Sequence, residues 1–173
     1  TTDKQVLICT QKQTEKDEIS AEDIYAVGTV ARIRQVAQLP GGVIRVTCDG
    51  LYRARAKTIG VEDGHFYAVC TEIVARHGDE TLEEAYFRTA KALVKDAFST
   101  DGKMTKETSA KLDRTDDADE YIDMAAAIMR IKLDIKQQLL EEADVIKRLR
   151  LFERCLNDEL EISRLEKKIA SAV

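Results

Sequence analysis

Val27-Gly28-Thr29-Val30-Ala31-Arg32-Ile33-Arg34-Gln35-Val36-Ala37-Gln38-Leu39-Pro40-Gly41-Gly42-Val43-Ile44-Arg45-Val46-Thr47-Cys48-Asp49-Gly50-Leu51-Tyr52-Arg53-Ala54-Arg55-Ala56 is the stretch that decides the fold. β-Branched residues recur through it and favour extended backbone. Pro40-Gly41-Gly42 suits a short hairpin, since Pro fixes one φ angle and Gly accepts φ above zero. The spacing predicts a strand from about Val27 to Leu39 and another from Val43 to Cys48, with Ile44, Val46 and Cys48 on one face. Asp49-Gly50 reads as a turn. A further strand then runs from Leu51 to Ile59, with Tyr52, Ala54 and Ala56 on one face and Arg53, Arg55 and Lys57 on the other.

Outward from this stretch, Val6 to Thr10 reads as an opening strand and Phe66 to Val74 as a closing one, after a turn at Asp63-Gly64. Ser20 is placed to cap a short helical turn, with Asp23 at the capping-box position. Five strands are therefore expected. Turn signals roughly ten residues apart favour a meander curling into a small barrel.

The second half changes character. From Asp79 onward there is one Gly and no Pro, and the helical period dominates. Thr81-Leu82-Glu83-Glu84 resembles a capping box opening a helix to about Phe98, ended by Ser99-Thr100-Asp101-Gly102. Thr105 to Leu112 and Asp116 to Met129 read as two more, the latter with Ile122, Ala125, Ala126 and Met129 as its apolar stripe. Asp134 is placed to cap a fourth, with Gln137 at its third position. Asp144 opens a last helix reaching Ala170.

That last helix carries two stripes. Val145, Leu149, Phe152, Leu156 and Leu160 share one face, while Ile162, Leu165 and Ile169 share another, turned by roughly 180°. The first stripe can dock on the neighbouring helices. The second needs either a further layer of its own domain or a partner, in the manner of a coiled-coil seam; the rest of the chain offers little to cover it, which favours the partner.

Composition narrows the function. The chain has 173 residues, 44% hydrophobic and 34% charged, and a formal net charge of −5. It therefore has no global electrostatic attraction to nucleic acid. No apolar run approaches the ~20 residues of a bilayer span, and no signal peptide is recognisable. Cys9, Cys48, Cys70 and Cys155 are widely spaced and read as buried, reduced thiols, which points to the cytoplasm. The start at Thr1-Thr2-Asp3, without Met and close to an apolar strand, reads as a trimmed one.

Catalytic signals are lacking. The chain holds neither a phosphate-cradling Gly-x-x-x-x-Gly-Lys-Ser/Thr nor a Gly-x-Gly-x-x-Gly. His65 and His77 fall in turn-like contexts. The serines lie at caps, turns and helix surfaces. Asp116-Asp117-Ala118-Asp119-Glu120 lacks the Gly and distal Glu of a calcium loop and fits a helix N-terminus instead. No catalytic, cofactor or metal residue is assigned. One constellation is basic: Arg32, Arg34, Arg45, Arg53, Arg55 and Lys57 on neighbouring strands. It reads as a solvated outer face or as a surface for acidic segments or phosphates.

Several blocks resemble the amino-terminal domain of the bacterial ATP-dependent protease Lon. They are Asp23-Ile24-Tyr25 leading into Val27 to Ile33, Leu39-Pro40-Gly41-Gly42 with Ile44-Arg45-Val46, and Gly50-Leu51-Tyr52-Arg53-Ala54-Arg55. Ala143-Asp144-Val145, Arg148-Leu149, Leu160-Glu161-Ile162 and Leu165 to Ile169 resemble the family's run into its central coiled coil. The resemblance implies an α+β chain: an antiparallel PUA-like β pseudo-barrel over residues 1–77, then an α-helical bundle over 78–173 with a long C-terminal helix. It also implies a non-catalytic region that engages unfolded or damaged protein substrates and supports subunit assembly. The family's full-length members are hexameric; a dimer is conceivable for a fragment. The ATPase and Ser-Lys protease motifs of the family do not occur in this sequence. Nor does the family's opening strand, which would leave an exposed edge open to pairing with another copy. The expected partner or substrate contacts are Ile162, Leu165, Ile169, Arg32, Arg34, Arg53 and Arg55. No membrane partner is expected, and nucleic acid is the weaker option. The alternatives are a stand-alone Lon-domain protein binding a small ligand or degron, and a PUA-like nucleic-acid binder.

Overall fold

Apolar and β-branched residues from Val27 onward draw the chain into the long strand about which the first half is organised. The computed structural model describes residues 4–101 and 104–172. The antiparallel sheet runs in the order β1 (Gln5–Ile8), β2 (Val27–Gln38), β3 (Ile44–Glu62) and β4 (His65–Glu72). The turns behave as their residues require. Gly41 and Gly42 take φ values of 83° and 78°. At the β3–β4 hairpin Asp63 and Gly64 take 50° and 77°, the left-handed pair of a tight two-residue loop.

Asp49-Gly50 is not a turn. The expected third and fourth strands are one 19-residue strand, β3, so that among the described residues the sheet has four strands rather than five. Val30 pairs with Tyr52 and Ala31 with Gly50, so Leu51 is the extra residue of a β-bulge. An Asp-Gly pair can bend a strand as well as reverse it, and the ladder on β2 decided between these. The opening residues Thr1 to Asp3 and the helix stop proposed at Gly102 lie outside the described residues.

Ser20 and Asp23 meet as expected: the Asp23 carboxylate accepts from the Ser20 backbone N–H at 2.8 Å and hydroxyl at 2.7 Å. Hydrogen bonds from Lys16 and Ser20 hold that carboxyl well below its usual range.

The second half forms α1 (Glu80–Asp101), α2 (Lys106–Arg114), α3 (Ala118–Ile128), α4 (Leu133–Glu141) and α5 (Val145–Ala172). Two caps differ from expectation. Asp79, not Thr81, caps α1, its Oδ1 accepting from Leu82 N–H at 2.8 Å. Asp134 lies inside the first turn of α4, where Lys132 is the N-cap, and Gln137 Nε2 instead donates to Glu141. Thr105, Asp117 and Asp144 cap α2, α3 and α5, each accepting a backbone N–H three residues on.

One core serves this half. Val145, Leu149, Phe152 and Leu156 of α5 pack with Ala90 and Val94 of α1, Tyr121, Ile122 and Ala125 of α3, and Leu139 of α4. The first apolar stripe of α5 is wholly buried, Leu160 included. Through its centre runs a charge. Arg148 is 1% exposed and donates to the Leu139 carbonyl at 2.7 Å and to the Asp119 carbonyl at 2.9 Å. It also pairs with the Asp119 carboxylate at 2.7 Å and with that of Asp123. The two compact units divide between Val74 and Ala75. Among the described residues no helix is long and apolar enough to cross a membrane.

Candidate functional site

A four-stranded sheet that curls leaves a concave face, and small residues let it curl. Gly28 pairs with Ala54 across β2 and β3, and Ala56 with Cys70 across β3 and β4. These put small residues in adjoining rows of the inner strands. A pocket of about 440 Å³ opens on the sheet. Leu7 of β1, Val30 of β2, Tyr52 and Ile59 of β3, and Phe66 and Tyr67 of β4 line it. Both edge strands therefore contribute to one site.

The lining is apolar and aromatic. Tyr52, Phe66 and Tyr67 keep substantial exposed surface. Tyr67 lies directly across from Gly60 and packs its ring where a side chain there would stand. Such a surface suits large apolar side chains of a bound segment: rings bury much area and lose few rotamers. The sequence places Tyr52 on one face with Ala54 and Ala56 but marks the basic strands for contact. The signal for the pocket was the alternation of β3 together with exposed aromatics on a short edge strand.

The basic constellation loses one member, Arg53, while Arg45 and Lys57 stay exposed. Arg32 and Arg55 are exposed. Arg34 is exposed but paired with Asp49. Arg53 is 5% exposed and leaves the expected contact surface. Pairing on an inner strand is not enough to cover an arginine, since Arg55 has strand partners on both sides and stays exposed. Ile162, Leu165 and Ile169 are 46%, 50% and 66% exposed on α5.

The cysteines also depart from expectation. Only Cys155 is buried, which raises its thiol to about 11. Cys70 is exposed because β4 is an edge strand, and Cys9 is partly buried. Both histidines are exposed; Glu83, hydrogen-bonded to His77 Nδ1 at 2.8 Å, raises that imidazole above its ordinary value.

The profile of the ATP-dependent protease La (LON) substrate-binding domain matches residues 1–158. The chain belongs to this family. Lon protease of Clostridioides difficile (strain 630) is 36% identical over 173 residues, covering 97% of this chain. Lon protease of Escherichia coli (strain K12) is 33% identical over 171 residues, covering 99%. The chain spans 22% of the length of each of these Lon proteases. The N-terminal domain of Mycobacterium avium complex Lon protease has the same fold, with a TM-score of 0.68, 19% identity, and coverage of 90% of this chain and 91% of that one.

Proposed function

We propose that this chain is the non-catalytic, substrate-engaging region of an ATP-dependent Lon protease, holding unfolded or damaged protein at the Tyr52–Phe66–Tyr67 pocket of its β unit. The observation that carries the reading is an apolar, aromatic-walled cavity of about 440 Å³ between the two edges of one sheet. An extended segment passing through it places alternate side chains against the wall, since strands alternate faces. Apolar surface outweighs polar surface in the lining and, among the described residues, no charged side chain belongs to it, so binding is tolerant of sequence and weak enough to release a segment for translocation. The net charge of −5 and the pairing of Arg34 with Asp49 favour protein over nucleic acid as the partner.

The test is binding of fluorescein-labelled, reduced and carboxymethylated lactalbumin, followed by anisotropy. Replacing both Tyr52 and Phe66 with Ser is expected to weaken binding at least about ten-fold, the range in which central aromatic contacts act. Unchanged binding by a folded double variant overturns the reading.

Assembly is the second part of the proposal. The stripe of Ile162, Leu165 and Ile169 recurs at spacings of three and four, as a coiled-coil seam does. Together with its exposure, this supports pairing with a like helix of another subunit. Sedimentation of the chain is expected to show a concentration-dependent dimer that the triple Ser variant loses. A wild-type chain that stays monomeric at high concentration removes this part.

A further inference from the structure

Two thiols from opposite ends of the sheet meet at one cavity. Cys9 directly follows β1, and Cys70 lies on β4, the other edge strand. Both line the pocket. The strands between them carry small residues in the adjoining rows, Gly28 opposite Ala54 and Ala56 opposite Cys70. Cys9 Sγ leans across β2, 2.7 Å from where a Cβ on Gly28 would stand. Burial raises the Cys9 thiol above its ordinary value, and the neighbouring Cys70 adds to the rise.

We propose that Cys9 and Cys70 form a reversible disulfide that joins the two edges of the sheet across the pocket and closes it to substrate. This rests on the pocket being the binding site. The exposed Cys70 meets the oxidant, taken here as a low-molecular-weight disulfide such as oxidised glutathione. Its thiolate attacks one glutathione sulfur, forming a mixed disulfide and releasing one glutathione thiolate. The Cys9 thiolate then attacks the Cys70 sulfur and displaces the second glutathione thiolate. Two protein thiols are oxidised, one glutathione disulfide is reduced to two thiols, and the two protons pass through solvent to the leaving thiolates. A disulfide holds its Cα atoms about 5.5–6 Å apart, so the bond draws β4 toward β1. Among the described residues β4 pairs with β3 alone, so it can follow. Cys48 and Cys155 do not line this pocket.

The full chain is incubated in glutathione buffers of increasing oxidised fraction and mapped by mass spectrometry, with anisotropy of the labelled lactalbumin measured on each sample. A Cys9–Cys70 linked peptide is expected, reversed by dithiothreitol, with binding at least five-fold weaker in the oxidised form. In Cys70→Ser, whatever its own affinity, binding is expected to be the same in every buffer. A lasting glutathione adduct on Cys70, a disulfide to Cys48 instead, or unchanged binding by the linked form each overturn the proposal. If the reduced chain does not bind at all, the substrate-site reading fails instead, and the linked peptide alone decides the chemistry.

Discussion

Arg148→Ala is expected to cost the helical unit about 3–5 kcal/mol, the usual result of breaking a buried ion pair from one side. The guanidinium ties α5 to α3 and α4 through four hydrogen bonds to Leu139, Asp119 and Asp123. Removing it leaves the carbonyls of Leu139 and Asp119 without this donor in a site that admits little water, and each such loss costs about 1–3 kcal/mol. It also leaves a cavity beside Leu139 and Leu149, both essentially inaccessible. The two carboxylates will not respond alike. Asp123 is 43% exposed at its side chain and can be solvated once alone, whereas Asp119 is 17% exposed. Asp123→Ala is therefore expected to cost about 1 kcal/mol or less, and Asp119→Ala more. In the Arg148→Ala background both changes should lose most of their effect, because their partner is gone. Urea denaturation followed by far-ultraviolet circular dichroism measures this. A loss below about 1 kcal/mol for Arg148→Ala would place the residue among ordinary surface pairs and refute its role as the tie of the bundle.

The periodicities that depend on local geometry were legible. The left-handed turn at Asp63-Gly64, the hairpin at Pro40 to Gly42 and the buried stripe from Val145 to Leu160 follow from residue type and spacing alone. What escaped the sequence was set by neighbours distant in the chain. Asp49-Gly50 became a bulge because β2 continued past it and kept the ladder in place. Arg148 gave no sign of burial, since its partners lie 9 to 29 residues away on other helices. Arg53 and Arg55 look alike in sequence, yet one is covered and the other exposed. The pocket was half legible. Alternation put Tyr52 on one face with Ala54 and Ala56, but only tertiary structure brought residues of β4 and β1 to one pocket.

The curl of the sheet depends on Gly28, and Gly28→Ala is expected to destabilise the β unit by about 2–3 kcal/mol, the upper part of the overpacking range. The backbone there is not in the left-handed region, so the requirement is steric rather than conformational. An added Cβ meets the Ile8 carbonyl oxygen and Cys9 Sγ. The sulfur can rotate away; the carbonyl cannot move without moving β1. Among the described residues β1 has β2 as its one strand neighbour, so the strain is relieved by peeling β1 off the sheet. Leu7 and Cys9 then leave the pocket wall, and binding of the labelled lactalbumin should fall with them. Gly60→Ala is the internal comparison. Its obstacle is the Tyr67 ring, a side chain free to swing outward from an edge strand, so its cost should be the smaller of the two. Hydrogen exchange separates the effects: Gly28→Ala should lose protection at Val6 to Ile8 and leave α3 and α5 untouched, because these lie in the other compact unit. Equal stability of Gly28→Ala and wild type, with β1 still protected, would mean that the close approach of β1 to β2 is not what shapes the site.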